Sequence, residues 1–247
     1  VTDKTSAKTG MGKKAHMALK TTTSYMGCES FPLGLSLESQ LPTGKGMAAS
    51  TADIVAVIQA VATAIDEELE PEEIAEIAAG IEPTDGIFYP GIVQMNYMTG
   101  ELIKSYGNAP KMIIAMFDMG GSINTVEFHS EYHGHEDSPK ELLEAIDKLD
   151  VDFSPRQIAH VATLSALANQ KLVPKPHLEE IIKYSATLGA LGVNVAHSGT
   201  MVGVLFAPDE SMKHVMEAVE KIREKFPELE YFETERLISG GYDIEQR

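Results

Sequence analysis

The sequence has no tryptophan and only one cysteine, Cys28. A lone thiol builds no disulfide framework, which fits a reducing compartment, and a cytoplasmic protein is expected. Also missing is any apolar run near the ~20 residues that a membrane-spanning helix needs, so a soluble chain with no membrane partner is expected. Positive charge is scarce: 20 Lys and Arg stand against 37 Asp and Glu, a formal net charge of −17. Nucleic-acid backbones are held by clustered Lys and Arg, so this balance argues against a DNA or RNA partner. A small polyanion is still admissible if its charge is met locally, by a metal ion, backbone N–H groups and a few placed lysines. There is no internal repeat, low-complexity tract or Gly/Pro/Ser linker. The opening VTDKTSAKTG is polar and mixed in charge, unlike a signal peptide. It starts at Val1 rather than Met and reads like a strand entered midway, so an N-terminal piece is expected to be missing.

What is present suits an ordinary globular protein. With 247 residues, 43% apolar and 23% charged, the chain can form one large domain or two modest ones. A helix is predicted from about Lys8 to Tyr25, and the alternation in Leu33–Leu41 predicts a strand. Met47–Glu67 predicts a long helix, apolar nearly all round and so buried between layers. Glu70-Pro71-Glu72-Glu73 opens a second helix that stops at Gly80. Ile87–Tyr97 and Leu102–Lys104 read as strands around the Thr99-Gly100 turn. From Pro110 the order becomes strand (Met112–Phe117), helices, strand (Val193–His197), strand (Val202–Phe206), helix, strand (Tyr231–Leu237). Ser138-Pro139-Lys140-Glu141 and Ser154-Pro155-Arg156-Gln157 read as capping boxes, a third helix covers His177–Leu188, and Asp209 is expected to cap the next. This is a split βαββαβ order with extra helices in its first crossover. The domain boundary is placed near Asn108, giving 1–108 and 109–247.

The most informative passage is Pro42-Thr43-Gly44-Lys45-Gly46-Met47-Ala48-Ala49-Ser50-Thr51-Ala52, between a predicted strand and the long helix. Two glycines let the backbone turn tightly and bring N–H groups near a ligand. The helix start offers unpaired N–H groups and partial positive charge, and the small residues after Met47 leave room for a phosphate there. Lys45 adds a mobile positive charge, and Ser50 a hydroxyl for a phosphate oxygen or magnesium. The pattern is neither a Walker A loop nor G-x-G-x-x-G. A plain strand-to-helix turn stays open as the alternative.

The segment resembles the second motif of the GHMP kinases, P-x-x-x-G-L-x-S-S-A. Met47 stands for Leu, Ala49 for the first Ser, Ser50 for the second and Thr51 for Ala. GKGMAASTADI looks most like the L-threonine kinases of cobalamin biosynthesis, as does Gly80-Ile81-Glu82-Pro83-Thr84-Asp85-Gly86. Val195-Ala196-His197-Ser198-Gly199-Thr200-Met201-Val202-Gly203 resembles the glycine-rich third motif. The first motif is absent, and Ala49 departs from the pattern.

The resemblance implies a two-domain α/β (α+β) fold with a left-handed βαβ crossover in the first domain, a ferredoxin-like second domain, and an active site in the cleft between them. It implies ATP and Mg2+ as cofactors and L-threonine as the phosphoryl acceptor. Pro42, Gly44, Lys45, Gly46, Met47, Ala48, Ala49, Ser50 and Thr51 would hold the nucleotide phosphates, with Ser50 and Glu82 on the metal. Asp85 and Lys45 would be catalytic, Asp85 as base, and Asp85, Ser198, Gly199 and Thr200 would line the acceptor. Each has an ordinary alternative: Glu82 as a loop acid, Asp85 as a turn former before Gly86, and Ser198–Thr200 as a plain hairpin. A homoserine- or mevalonate-type kinase and an inactive GHMP-fold binding protein also stay open, and a homodimer is entertained. His129, His133 and His135 at i, i+4 and i+6 have metal-ligand spacing, against a solvated loop.

Overall fold

The structure is a computed structural model that describes residues 12–31, 33–121 and 138–244. The histidines at 129, 133 and 135 lie outside the described residues. Two compact units are formed. The first takes the described residues of Val1–Leu41, Ala48–Asn108 and Ser239–Arg247, and the second those of Pro42–Met47 and Ala109–Ile238. Two short segments thus cross the expected sequential division. Residues 42–47 belong with the second unit, and 239–244 return to the first, where Ser239 accepts from Gly91 N and Tyr242 Oη donates to Leu69 O.

In the first unit, helices α1 (Lys13–Tyr25), α2 (Ala49–Ala64) and α3 (Pro71–Ala79) pack around one core. Ile54, Val57, Ile58 and Val61 of α2 are all buried, and α1 approaches them through the small residues Ala15 and Ala18. Small residues on one helix let two backbones come close. At the start of α3, Glu73 Oε2 accepts from Glu70 N at 2.9 Å and Pro71 needs no donor there. Strands β1 (Ile92–Met95) and β2 (Leu102–Gly107) form an antiparallel pair.

Two expectations fail in this unit. Leu33–Leu41 is not a strand beyond a single bridge at Gly34. Leu35 is buried and Leu37 packs partly on the core, so the alternation reflects one-sided packing of an irregular segment. Nor does a strand begin at Ile87; residues 87–91 turn, with Phe88 and Tyr89 buried in the core, and β1 starts at Ile92.

The second unit is a four-stranded antiparallel sheet of β3 (Ile113–Asp118), β4 (Gly192–Val195), β5 (Met201–Phe206) and β6 (Glu230–Arg236), in the order β4-β5-β3-β6. That order is the ferredoxin-like arrangement. Helices α4 (Lys140–Asp147), α5 (Pro155–Asn169) and α6 (Leu178–Thr187) fill the first crossover, and α7 (Met212–Lys225) the second. β5 is buried at every position, and Phe117, Val204 and Phe206 meet Ile181, Val215 and Ile222 from the helices. The Ser154 cap forms, accepting from Gln157 N at 3.2 Å, but Gln157 sends its amide to Ala145 O instead of closing the box. Ser138 caps nothing, because Pro139 takes the N-cap position of α4. Asp209 is displaced by Ser211, whose Oγ accepts from His214 N at 3.2 Å. Among the described residues no helix is long and apolar enough to cross a membrane.

The cap assignment is directly testable. Ser211→Ala is expected to cost about 1 kcal/mol in denaturant titrations, and Asp209→Ala less than about 0.5 kcal/mol. Equal losses would contradict the observed cap.

Candidate active site

Helix α2 begins at Ala49, two residues after the start expected at Met47. Its N-cap residue Ala48 is left-handed (φ 53°) and provides no side-chain cap. Every second residue into the helix has positive φ: Gly44 (72°), Gly46 (78°), then Ala48. For alanine that conformation is strained, and such strain collects where backbone geometry serves a ligand. The first N–H groups of α2 therefore end without the hydroxyl or carboxylate that normally closes a helix start.

Ser50, in the first turn, donates its hydroxyl to a Glu82 carboxylate oxygen. Glu82 reaches it because α3 ends at Gly80 and the chain turns there, with Glu82 N on Ala78 O at 3.1 Å. Lys14 of α1 completes the group: its Nζ lies 2.9 Å from Ser50 Oγ and forms an ion pair with Glu82. An ammonium shared by hydroxyl and carboxylate marks this spot as one that favours a cation. Asp85 is exposed, and its backbone N–H donates to the buried Thr51 Oγ1 at 3.2 Å, which ties the Glu82–Asp85 segment to the first turn of α2.

The second group lies in the second unit. Lys45 O accepts from Thr200 N at 3.0 Å and Met201 N at 3.3 Å. A Cβ on Gly46 would strike Ala196 and Gly199, and one on Gly199 would strike the Lys45 carbonyl and Gly46, so both glycines are required by close approach. Lys45 Nζ meets Asp118 Oδ2 at 2.5 Å and Gly121 O at 2.7 Å. Thr200 Oγ1 donates to Asp118 Oδ1 at 2.6 Å, and Gly120 N to the same oxygen at 3.0 Å. Burial opposes ionisation of Asp118, but hydrogen bonds from Lys45, Thr200 and Gly120 outweigh it and hold the carboxyl below its usual range.

The structure thus joins Ser50 with Glu82, Thr51 with Asp85, and Lys45 and Gly46 with Gly199 and Thr200. Three residues escaped the sequence reading. Lys14 sits in a Lys-Lys pair on a weakly patterned helix, with nothing to single it out. Asp118 was visible as an acid closing the apolar strand MIIAMFD. Lys175, between two prolines, reads as a loop lysine, yet it is 3% exposed and donates to Ala196 O at 2.8 Å.

Residues 13–88 match the family model for the GHMP kinases N terminal domain, and residues 142–225 that for GHMP kinases C terminal. The chain belongs to the GHMP kinases. Members of this family are ATP-dependent phosphotransferases. Among curated relatives, the L-threonine kinase of Citrobacter freundii is 25% identical over 222 residues, 85% of this chain and 75% of that protein. The L-threonine kinase of Salmonella typhimurium is 26% identical over 176 residues, and the match spans 69% of this chain and 59% of that one. The fold is that of the mevalonate kinase of Methanococcus jannaschii: TM-score 0.68 at 20% identity, covering 91% of this GHMP chain and 75% of that one.

The magnesium that GHMP kinases imply can be tested against the residues present. Among the described residues no three His, Cys, Asp or Glu gather. Magnesium seldom needs such a cage, taking one or two protein oxygens and leaving the rest to phosphates and water. Ser50 Oγ and the Glu82 carboxylate, already in contact and already drawing an ammonium, are a fitting pair.

Lys175 makes stability depend on pH. Burial lowers its pKa from 10.5 to about 8. Between those values the unfolded chain binds more protons than the folded one, so stability rises with pH there. The burial penalty is full below pH 8 and lifts above it. Wild type is therefore expected to gain stability on Lys175→Met between about pH 7 and 10, read from denaturant titrations. A constant difference would contradict the burial.

Proposed function

We propose that the chain phosphorylates the side-chain hydroxyl of L-threonine with ATP, giving ADP and O-phospho-L-threonine, an intermediate for the aminopropanol linker of cobalamin. The observation that carries this reading is the Ser50–Glu82–Lys14 group at the open start of α2, on a chain whose curated relatives are L-threonine kinases.

Phosphoryl transfer asks a protein mainly for positioning and charge neutralisation. The N–H groups of Ala49, Ser50 and Thr51 and the positive end of α2 suit phosphate oxygens. Lys45 supplies a cation from the loop that leads into the helix, and Lys14 a second. Ser50 and Glu82 would hold magnesium, which neutralises phosphate charge when bound. The threonine hydroxyl oxygen attacks the γ-phosphorus, the bond from that phosphorus to the β-bridging oxygen breaks, and ADP leaves. Asp85 receives the hydroxyl proton. Its backbone N–H donates to Thr51 Oγ1, which ties this exposed residue to the first turn of α2. Asp85 is also the acid we propose for the ammonium of an amino-acid acceptor.

Two measurements test the reading. Asp85→Asn is expected to lower kcat by about 10²–10⁴-fold while the KM for ATP changes little. Equal change in both, or none, would reject Asp85 as base. On acceptors, kcat/KM should favour threonine over serine by roughly 10–200-fold, the worth of one methyl, with negligible turnover of mevalonate, which has no ammonium. Better turnover of homoserine or mevalonate would keep the family and overturn the substrate.

A further inference from the structure

The transfer described above leaves Lys175 unused, although its burial is costly. We propose that Lys175, together with Asn169, is a positioning residue for the nucleotide-phosphate loop, acting through the Ala196–Thr200 turn without touching nucleotide. The kinetic and binding readouts rest on the kinase reading; the geometry does not.

The connection runs through four links in the second unit. Lys175 Nζ donates to Ala196 O at 2.8 Å, and the buried Asn169 at the end of α5 donates Nδ2 to His197 O at 3.2 Å. Two consecutive carbonyls are therefore each held by a side-chain donor. Because trans peptides are planar, holding these carbonyls also fixes the N–H groups of His197 and Ser198, each of which points away from the carbonyl of its own peptide. Next along the turn, Gly199 lies against Gly46, and Thr200 N and Met201 N both reach Lys45 O. A rotation of the peptides at 196–198 would therefore be felt at Lys45 and Gly46.

Lys175 is itself aimed. Gln170 brackets its backbone, with Nε2 on Lys175 O at 3.0 Å and Oε1 accepting from Lys175 N at 2.6 Å. Pro174 and Pro176 restrict the chain on both sides. Among the described residues no carboxylate forms an ion pair with it, so the ammonium exchanges water for one carbonyl. A buried charge so poorly compensated destabilises a fold, and an apolar side chain of similar length would serve packing better. Costs of this kind gather where function needs a particular geometry. The bond does not depend on charge, since a neutral amine still donates; Lys175 sets shape and is not a pH switch.

The experiment uses the whole chain carrying Lys175→Met or Asn169→Ala, with MgATP titrated calorimetrically and amide hydrogen exchange followed by residue. Lys175→Met should melt at or above the wild-type temperature at pH 7. Its Kd for MgATP should rise about tenfold, and KM for ATP should rise more than kcat falls. Exchange at the Thr200 and Met201 amides should quicken while the β5 amides Val202–Phe206 stay protected. Asn169→Ala should show the same split, and decides alone if Lys175→Met does not fold. Wild-type affinity in the variants, or protection lost equally across β5, would overturn the proposal. If wild type binds no MgATP the kinase reading fails, and the exchange pattern alone then decides the positioning claim.

Discussion

One backbone carbonyl holds two loops of the second unit together. Lys45 O accepts from two successive N–H groups, Thr200 and Met201, and this bond requires Gly46 and Gly199 to meet with no side chain between them. The loop that carries Gly46 and the later glycine-rich turn are therefore one packed device. The turn is closed on itself by Ala196 N on Met201 O at 3.0 Å, and its Thr200 and Met201 N–H groups supply the partners of the Lys45 carbonyl. The Asp118 carboxylate ties the same pair through side chains, taking Lys45 on one oxygen and Thr200 on the other.

The charge balance makes more sense once the lysines are placed. A chain with a formal charge of −17 repels polyanions at long range, so a nucleotide must be met by cations held at fixed points. Under the proposed function Lys14 and Lys45 would be such points, each side chain lodged against a carboxylate and partly exposed. Lys175 differs: it is buried against a carbonyl alone, and its effect is on backbone shape.

What the sequence made legible was local. Gly44 and Gly46 before a run of small residues, Pro71 with its acids, and Ser154-Pro155 each act within a turn or two, so their chemistry is written in neighbouring letters. The pairing of Ser50 with Glu82 was legible through a family resemblance, because two motifs 32 residues apart carry it. Lys14, Asp118 and Lys175 were not picked out, since their partners lie 36, 82 and 21 residues away, and an acid closing an apolar strand was the one local mark, at Asp118. Leu33–Leu41 failed for a different reason: alternation reports which side faces a core, and an irregular segment laid on helices alternates as a strand does. Asp209 lost to Ser211 because both are good caps and the turn at Ala207–Glu210, closed by Glu210 N on Ala207 O, delays the helix by two residues.

The most direct test of the central claim, that the Gly46–Gly199 contact shapes a nucleotide site, is calorimetric titration of MgATP into wild type and Gly199→Ala, with circular dichroism confirming that both are folded. A methyl there lands on the Lys45 carbonyl, so the loop must move. The expected result is binding by wild type and affinity at least about tenfold weaker in the variant. Equal affinity in the two folded proteins, or no MgATP binding by wild type, would contradict the account.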